Sequence, residues 1–180
     1  MGGEKVKRIL GCFILLGMLV FMCATAVAQP HMELVDTQQI PEDRSFRGGF
    51  PISSEGKIVM TDIKGSKKSS KPWIGFYGKM ENGTTFKVDL EFADGNIQVC
   101  ALYKGNTPGR LDRKYVLRES LPANNKWRYP GTFSLDVVDD QATIKLGNKS
   151  YVWPGVSMLT GEMEVGRVSG KLEVYNYVRE

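Results

Sequence analysis

From Lys57 to Val178 apolar and polar residues alternate mostly with a period of two. The clearest stretch is 85–104, where Phe86, Val88, Leu90 and Phe92 are separated by Lys87, Asp89 and Glu91. That pattern belongs to a strand with one buried face. Asp94-Gly95 then suits the two central positions of a tight hairpin turn. A return strand from Ile97 to Lys104 about that turn sets Phe92 against Ile97, Leu90 against Val99, Val88 against Ala101 and Phe86 against Tyr103. The apolar face is then continuous across both strands, and Cys100 lies on the other face, opposite Asp89. Upstream, a strand from Trp73 to Glu81 leads into Asn82-Gly83, a second hairpin signal. With these two as the loop, Tyr77 opposes Val88 and Trp73 lies near Phe92, so both rings are expected in the core.

The same pattern continues. Residues 105–113 and 120–126 have loop composition, with a short strand from Lys114 to Glu119 between them. Thr132 to Val138 is a strand. Ala142–Leu146 and Lys149–Trp153 form a hairpin about Gly147-Asn148, and Gly161–Val168 and Lys171–Val178 a last one about Ser169-Gly170. No run has a helical period. About ten short strands joined by local turns predict an all-β fold. An antiparallel up-and-down β-barrel of roughly 8–10 strands is favoured because closure removes exposed edges, with a β-sandwich as the alternative. The single β-domain is placed at 57–180. Residues 29–56 carry Pro30, Pro41, Pro51 and Arg47-Gly48-Gly49, and are expected to be an irregular arm. It would pack through Phe46, Phe50 and Ile52, with a helical turn near Met32 to Gln39.

One motif occurs twice. Trp127-Arg128-Tyr129-Pro130-Gly131 and Tyr151-Val152-Trp153-Pro154-Gly155 both read aromatic, any residue, aromatic, Pro, Gly, with a Leu four residues on at Leu135 and Leu159. In a strand each copy puts two rings on one face, and Pro-Gly fits a type II turn. The copies are read as two equivalent barrel corners. Aromatic faces at strand ends also stack on sugars or capture apolar ligands. The candidate ligand-binding residues are therefore Trp127, Tyr129, Tyr151 and Trp153, with the flanking cations Lys126 and Arg128. A second basic run, Lys64 to Lys71, lies in a loop and adds to a surface suited to a charged sugar polymer or an anionic surface.

Composition changes the picture in three ways. First, the N-terminus reads as a signal peptide over 1–28: a basic start (Lys5, Lys7, Arg8), an apolar run, and Ala26-Val27-Ala28 before Gln29. A retained membrane anchor over 9–28 is the alternative. The protein is expected to be exported, periplasmic or secreted, or anchored to the membrane by 9–28 if that segment is retained. Second, removing that segment takes Lys+Arg from 24 to 21 and Asp+Glu from 20 to 19, a net of +2, so no field for nucleic acid is implied. Third, His31 is the only histidine and Cys100 the only cysteine after residue 28. Ser-His-Asp, Cys-His and multi-His metal sites are thereby excluded within one chain. Cys100 is expected to be a structural thiol, and no metal, cofactor or catalytic residue is assigned.

These readings predict an exported, non-enzymatic binding protein of the cell envelope or extracellular space. Its ligand would be a glycan, a partner protein or a small apolar molecule. One alternative is a small polysaccharide hydrolase using paired carboxylates among Asp136, Asp139, Asp140 and Glu162. The other is an assembly or inhibitor component in which the 29–56 arm meets a protein partner. A membrane partner enters only if the N-terminal segment is retained.

Overall fold

In two runs of the chain, strands consecutive in sequence are neighbours in a sheet. The computed structural model describes residues 31–104 and 111–178. In the first run, β4 (Trp73–Met80), β5 (Thr85–Ala93), β6 (Asn96–Lys104) and β7 (Leu111–Ser120) form a meander. In the second, β9 (Phe133–Val138), β10 (Gln141–Leu146) and β11 (Lys149–Pro154) do the same. The Asp94-Gly95 turn has φ of 51° and 73°, as a mirror-image hairpin turn requires. It produces the expected pairs Phe92–Ile97, Leu90–Val99, Val88–Ala101, Phe86–Tyr103 and Asp89–Cys100. The Gly147-Asn148 hairpin likewise pairs Leu146 with Lys149.

The other strands cross between two sheets. They are β1 (His31–Ile40), β2 (Ser45–Gly49), β3 (Gly56–Gly65), β8 (Arg128–Tyr129), β12 (Val156–Gly166) and β13 (Val168–Val178). Sheet A has the order β1-β13-β3-β9-β10-β11, with β8 also paired to β3; sheet B has the order β2-β12-β4-β5-β6-β7. All pairings are antiparallel. The fold is all-β, and it is the sandwich rather than the closed barrel. The physical reason lies in the links. The last hairpin, expected about Ser169-Gly170, does not exist. Arg167 alone, at φ 63°, separates β12 from β13, and the chain passes from sheet B to sheet A there. Ser169 and Gly170 lie inside β13, where its ladder with β3 has a bulge.

The core lies between the sheets. Ile58, Met60 and Ile63 of β3 meet Leu135 and Val137 of sheet A and Phe76, Val88 and Leu90 of sheet B, all at 0% exposure. Phe76 stacks on Phe133 across the sandwich at 5.8 Å and 12°. Each such ring contributes up to about 3 kcal/mol by burial.

Two further expectations are corrected. Residues 31–49 are not an irregular arm with a helical turn but β1 and β2, paired with β13 and β12. The first half of β1 is a sheet edge exposed on both faces, so it carries no period-two signal. Phe50 is buried, and Phe46 and Ile52 pack against the core as expected. The register of β4 is one residue from the expected one: Tyr77 opposes Lys87 and Trp73 opposes Glu91. The loop has three residues, not two. The Gly83 N–H bonds the Met80 carbonyl at 2.8 Å, so Asn82-Gly83 ends a four-residue turn, with Gly83 at φ 77°. A one-residue slip moves every side chain of a strand to its other face. The segment 1–28 lies outside the described residues.

Candidate functional site

On β5 the inward residues are Phe86, Val88, Leu90 and Phe92, which turns Lys87, Asp89 and Glu91 onto the outer face of sheet B. An outer row of charges is ordinarily wet. Here Asp89 is 4% and Glu91 2% exposed. The neighbouring strands cover them. β4 places Trp73, Gly75 and Tyr77 opposite Glu91, Asp89 and Lys87. β6 places Gln98 and Cys100 opposite Glu91 and Asp89. β7 adds Arg113 and Tyr115, β12 sets Glu164 beside Gly75, and β2 sets Arg47 beside Glu164.

The side chains interlock. Lys87 Nζ lies 3.0 Å from Asp89 and 3.2 Å from Glu164, and 3.9 Å from the centroid of the Trp73 ring. Arg47 holds Glu164 from the other side at 2.6 Å. Glu91 is held by Arg113, by Lys71 at 3.1 Å and by the Gln98 amide at 3.3 Å. Gly75 is what makes the crossing fit. A Cβ there would lie 2.2 Å from Lys87 Cε and 2.3 Å from Asp89 Oδ1. Tyr115, half exposed at the far side, lies 5.6 Å from the Arg113 guanidinium.

Protonation follows from this packing. Burial raises the Asp89 carboxyl above the ordinary range, against the pull of Lys87. Its Oδ1 is buried and accepts no hydrogen bond, although Lys87 neutralises it. Glu164 is shifted the other way, because the Tyr77 hydroxyl and Lys87 favour its charged form. Burial and that same contact with Glu164 raise Tyr77, which stays a neutral phenol. Burial pushes the Cys100 thiol up to about 11, so it is not an activated nucleophile. Beside the network, Arg47, Tyr77, Glu162 and Glu164 line an open depression of about 440 Å³.

The six residues singled out from the paired-ring motif divide into two groups. Tyr129 is 3% exposed and donates its hydroxyl to Glu119 at 2.8 Å. Trp127 packs partly against the core, and Lys126 and Arg128 are exposed on either side. This group meets the basic run: the Gly65 N–H bonds the Trp127 carbonyl at 2.8 Å. Tyr151 and Trp153 lie instead on β11. Trp153 packs edge-on against Phe86 at 5.2 Å and Tyr103 at 5.9 Å, and Lys114 donates to the Tyr151 hydroxyl at 3.4 Å. The two copies are not equivalent corners: Gly155 has the positive φ, 74°, that the turn needs, while Gly131 is not among the positive-φ glycines.

The four carboxylates considered for hydrolysis are divided between the sheets: Asp136, Asp139 and Asp140 belong to sheet A and its β9–β10 turn, and Glu162 to sheet B. Asp136 faces outward on sheet A, bonded by the Tyr177 hydroxyl at 2.7 Å. Asp139 and Asp140 make the β9–β10 turn at φ 50° and 55°. Glu162 belongs to β12 in sheet B. Trp73, Tyr77, Lys87, Asp89, Glu91, Arg113 and Glu164 were not legible as a site. Their one signal is the alternating Lys87-Asp89-Glu91 row, which reads as an ordinary solvated face until the β4 register is known.

Fold and face together define a two-sheet antiparallel β-sandwich with a buried ionic network on one outer surface. No protein-family model matches the chain, and no curated protein matches its sequence. Among solved structures it is similar to galectin LEC-6 of Caenorhabditis elegans, at 12% identity over 77% of this chain and 94% of that one, with a TM-score of 0.47. It is also similar to carbohydrate-binding module CBM66 from Bacillus subtilis, at 10% identity over 83% and 94%, with a TM-score of 0.40. A third is the CBM2 module of the evolved Dit of Lactobacillus casei BL23 phage J-1, at 12% identity over 76% and 70%, with a TM-score of 0.43.

Proposed function

We propose that this chain is an exported glycan-binding protein, non-enzymatic, that recognises its ligand with the outer face of sheet B. The observation that supports this is the row of paired, buried charges bounded by Trp73 and Tyr77 on one side and Tyr115 on the other. Three strand spacings separate β4 from β7, about 14 Å, enough for several sugar units. A polyhydroxylated ligand needs donors and acceptors together with flat apolar surfaces, and the exposed Arg47 and the half-exposed Tyr115 at the margins of the network are groups it can reach. The network holds its charged groups in place before any ligand arrives, which lowers the cost of ordering them on binding.

The competing readings fit less well. A small apolar ligand would need interior space, and the inward faces of both sheets are given over to one core cluster. Hydrolysis needs a carboxylate free to attack or to shuttle a proton. Glu91 is held by Lys71 and Arg113, Glu164 by Arg47 and Lys87, and Asp89 by Lys87. Export rests on residues 1–28 and implies a mature chain beginning at Gln29, which intact-mass measurement of the secreted product would read.

The binding test is affinity electrophoresis of the full chain through gels containing a panel of plant, microbial and animal polysaccharides. Tyr115→Ala and Tyr77→Phe are expected to abolish or weaken retardation on the glycan that retards the parent. Unchanged retardation of both variants would place the site elsewhere.

A further inference from the structure

The β3–β4 loop, 66–72, closes one end of the sandwich, and its cations converge with those of two other segments. Lys64, Lys67 and Lys68 line a groove of about 420 Å³ together with Trp127, Arg128 of β8 and Arg167 of the β12–β13 link. Backbone bonds hold the three segments together: Gly65 N–H to the Trp127 carbonyl at 2.8 Å, and Ser66 N–H to the Arg167 carbonyl at 2.9 Å. The Arg167 guanidinium also donates to the Lys68 carbonyl at 2.9 Å. Two carboxylates enter the groove and are already engaged: Glu42 with Lys64 at 3.5 Å and Asp43 with Lys68 at 2.7 Å. Lys67, Arg128 and Arg167 have no carboxylate within ion-pair distance among the described residues. Lys67 and Arg128, with Arg167 shared with Asp43, form around a half-buried indole a surface for an anion that also offers a flat face.

The groove lies beside the β5–β6 turn, where the outer row of sheet B ends. An adjoining depression of about 340 Å³ shares Lys67, Lys68 and Trp127 with it and reaches Ala93 and Asp94 at the β5–β6 turn. The row Lys87-Asp89-Glu91 ends at that turn, and Lys71 of the same loop pairs with Glu91. We infer that the ligand is an anionic polysaccharide, sulfated or carboxylated, whose chain lies on the outer face of sheet B and whose acidic groups are held in this end groove. This deepens the proposed function and rests on it.

The probes are dextran sulfate, polygalacturonate and neutral dextran, titrated into the full chain. Double-stranded DNA and vesicles of phosphatidylglycerol and phosphatidylcholine serve as competing polyanions. Binding to at least one acidic polysaccharide, and none to dextran, is expected, with a log–log salt slope of about −3 for three displaced counterions. The variant K67E/R128E, changed only at exposed side chains, should bind at least about tenfold more weakly, with the slope reduced by about 2. The inference is overturned if neither acidic polysaccharide binds more tightly than dextran, or if K67E/R128E binds as the parent does. It is also overturned if DNA or the vesicles bind as tightly as the polysaccharides through the same two residues. Tyr115→Ala separates the two readings. If it leaves acidic-polysaccharide binding intact while K67E/R128E abolishes it, the outer face is not the site and the groove acts alone. If Tyr115→Ala abolishes binding and K67E/R128E does not, the outer face stands and the groove is not part of the site.

Discussion

Lys87→Met is the most informative single change. It keeps the aliphatic stem over Trp73 and removes the charge that neutralises Asp89 at 3.0 Å and Glu164 at 3.2 Å. The two carboxylates are not equally affected. Glu164 retains Arg47 at 2.6 Å and is the more exposed, so its loss is under about 1 kcal/mol. Asp89 is 4% exposed and, among the described residues, has an Oδ1 that accepts no hydrogen bond and retains only Arg113 at 3.8 Å. Stripping the partner from a buried charge costs about 3–5 kcal/mol, less what proton uptake recovers. We expect Lys87→Met to cost about 3 kcal/mol at neutral pH. Lys87→Met/Asp89→Asn, which removes both charges, should return to within about 1 kcal/mol of the parent.

The pH dependence has a definite sign. Burial already raises the Asp89 carboxyl in the folded protein, and loss of Lys87 raises it further. For an acid raised on folding, the favourable contribution is present below the unfolded value, about 3.9, and is lost as pH rises through the folded value. The deficit of Lys87→Met should therefore shrink as pH falls toward about 4. Glu164 behaves oppositely: it is lowered on folding, so its contribution is lost as pH falls through its folded value. The assay is urea unfolding followed by tryptophan fluorescence, which Trp73 makes sensitive to this network. A Lys87→Met deficit under about 0.5 kcal/mol at neutral pH, or a double variant as unstable as the single one, would refute the reasoning.

Three other outcomes are expected. Gly75→Ala should lower the unfolding free energy by about 1–3 kcal/mol, because its Cβ needs the space of Lys87 Cε and Asp89 Oδ1; an unshifted thermal melt would contradict this. Gly83→Ala meets no atom within 4 Å and is expected to cost about 1 kcal/mol from its φ of 77° alone, read by urea unfolding. Cys100, at 0% exposure and pushed up to about 11, should react with a disulfide reagent only at the rate of unfolding; a rapid stoichiometric phase in the native protein would contradict it.

The fold was legible where turn chemistry and burial agree. Asp94-Gly95 occupies both positive-φ positions of its turn, so the β5–β6 register follows from sequence to the residue. Asn82-Gly83 carries the same dipeptide signal, but occupies the last two places of a longer turn. The single residue of difference put Trp73 and Tyr77 in the expected core and hid the charged face they bound. Sheet A was harder to read. Its assembly depends on crossings such as Arg167, where one ordinary residue at φ 63° replaces any recognisable turn motif. Trp127 and Arg128 were placed beside one another by sequence, but their meeting with Lys64, Lys67 and Arg167 is purely tertiary.

The order of strands in sheet A also constrains how the molecule is made. β13, last along the chain, lies between β1 and β3, and its ladder joins His31 to Val178. A chain emerging from its N-terminus can form the β4–β7 meander early, from neighbouring turns. β1 has to wait, because its pairing partner is synthesised only after β2 to β12. Closing so long a loop is slow relative to local pairing. Until β13 inserts, one edge of β3 and the pairing edge of β1 lack a neighbour, and that interval is when the nascent protein is most open to misassociation or to a chaperone.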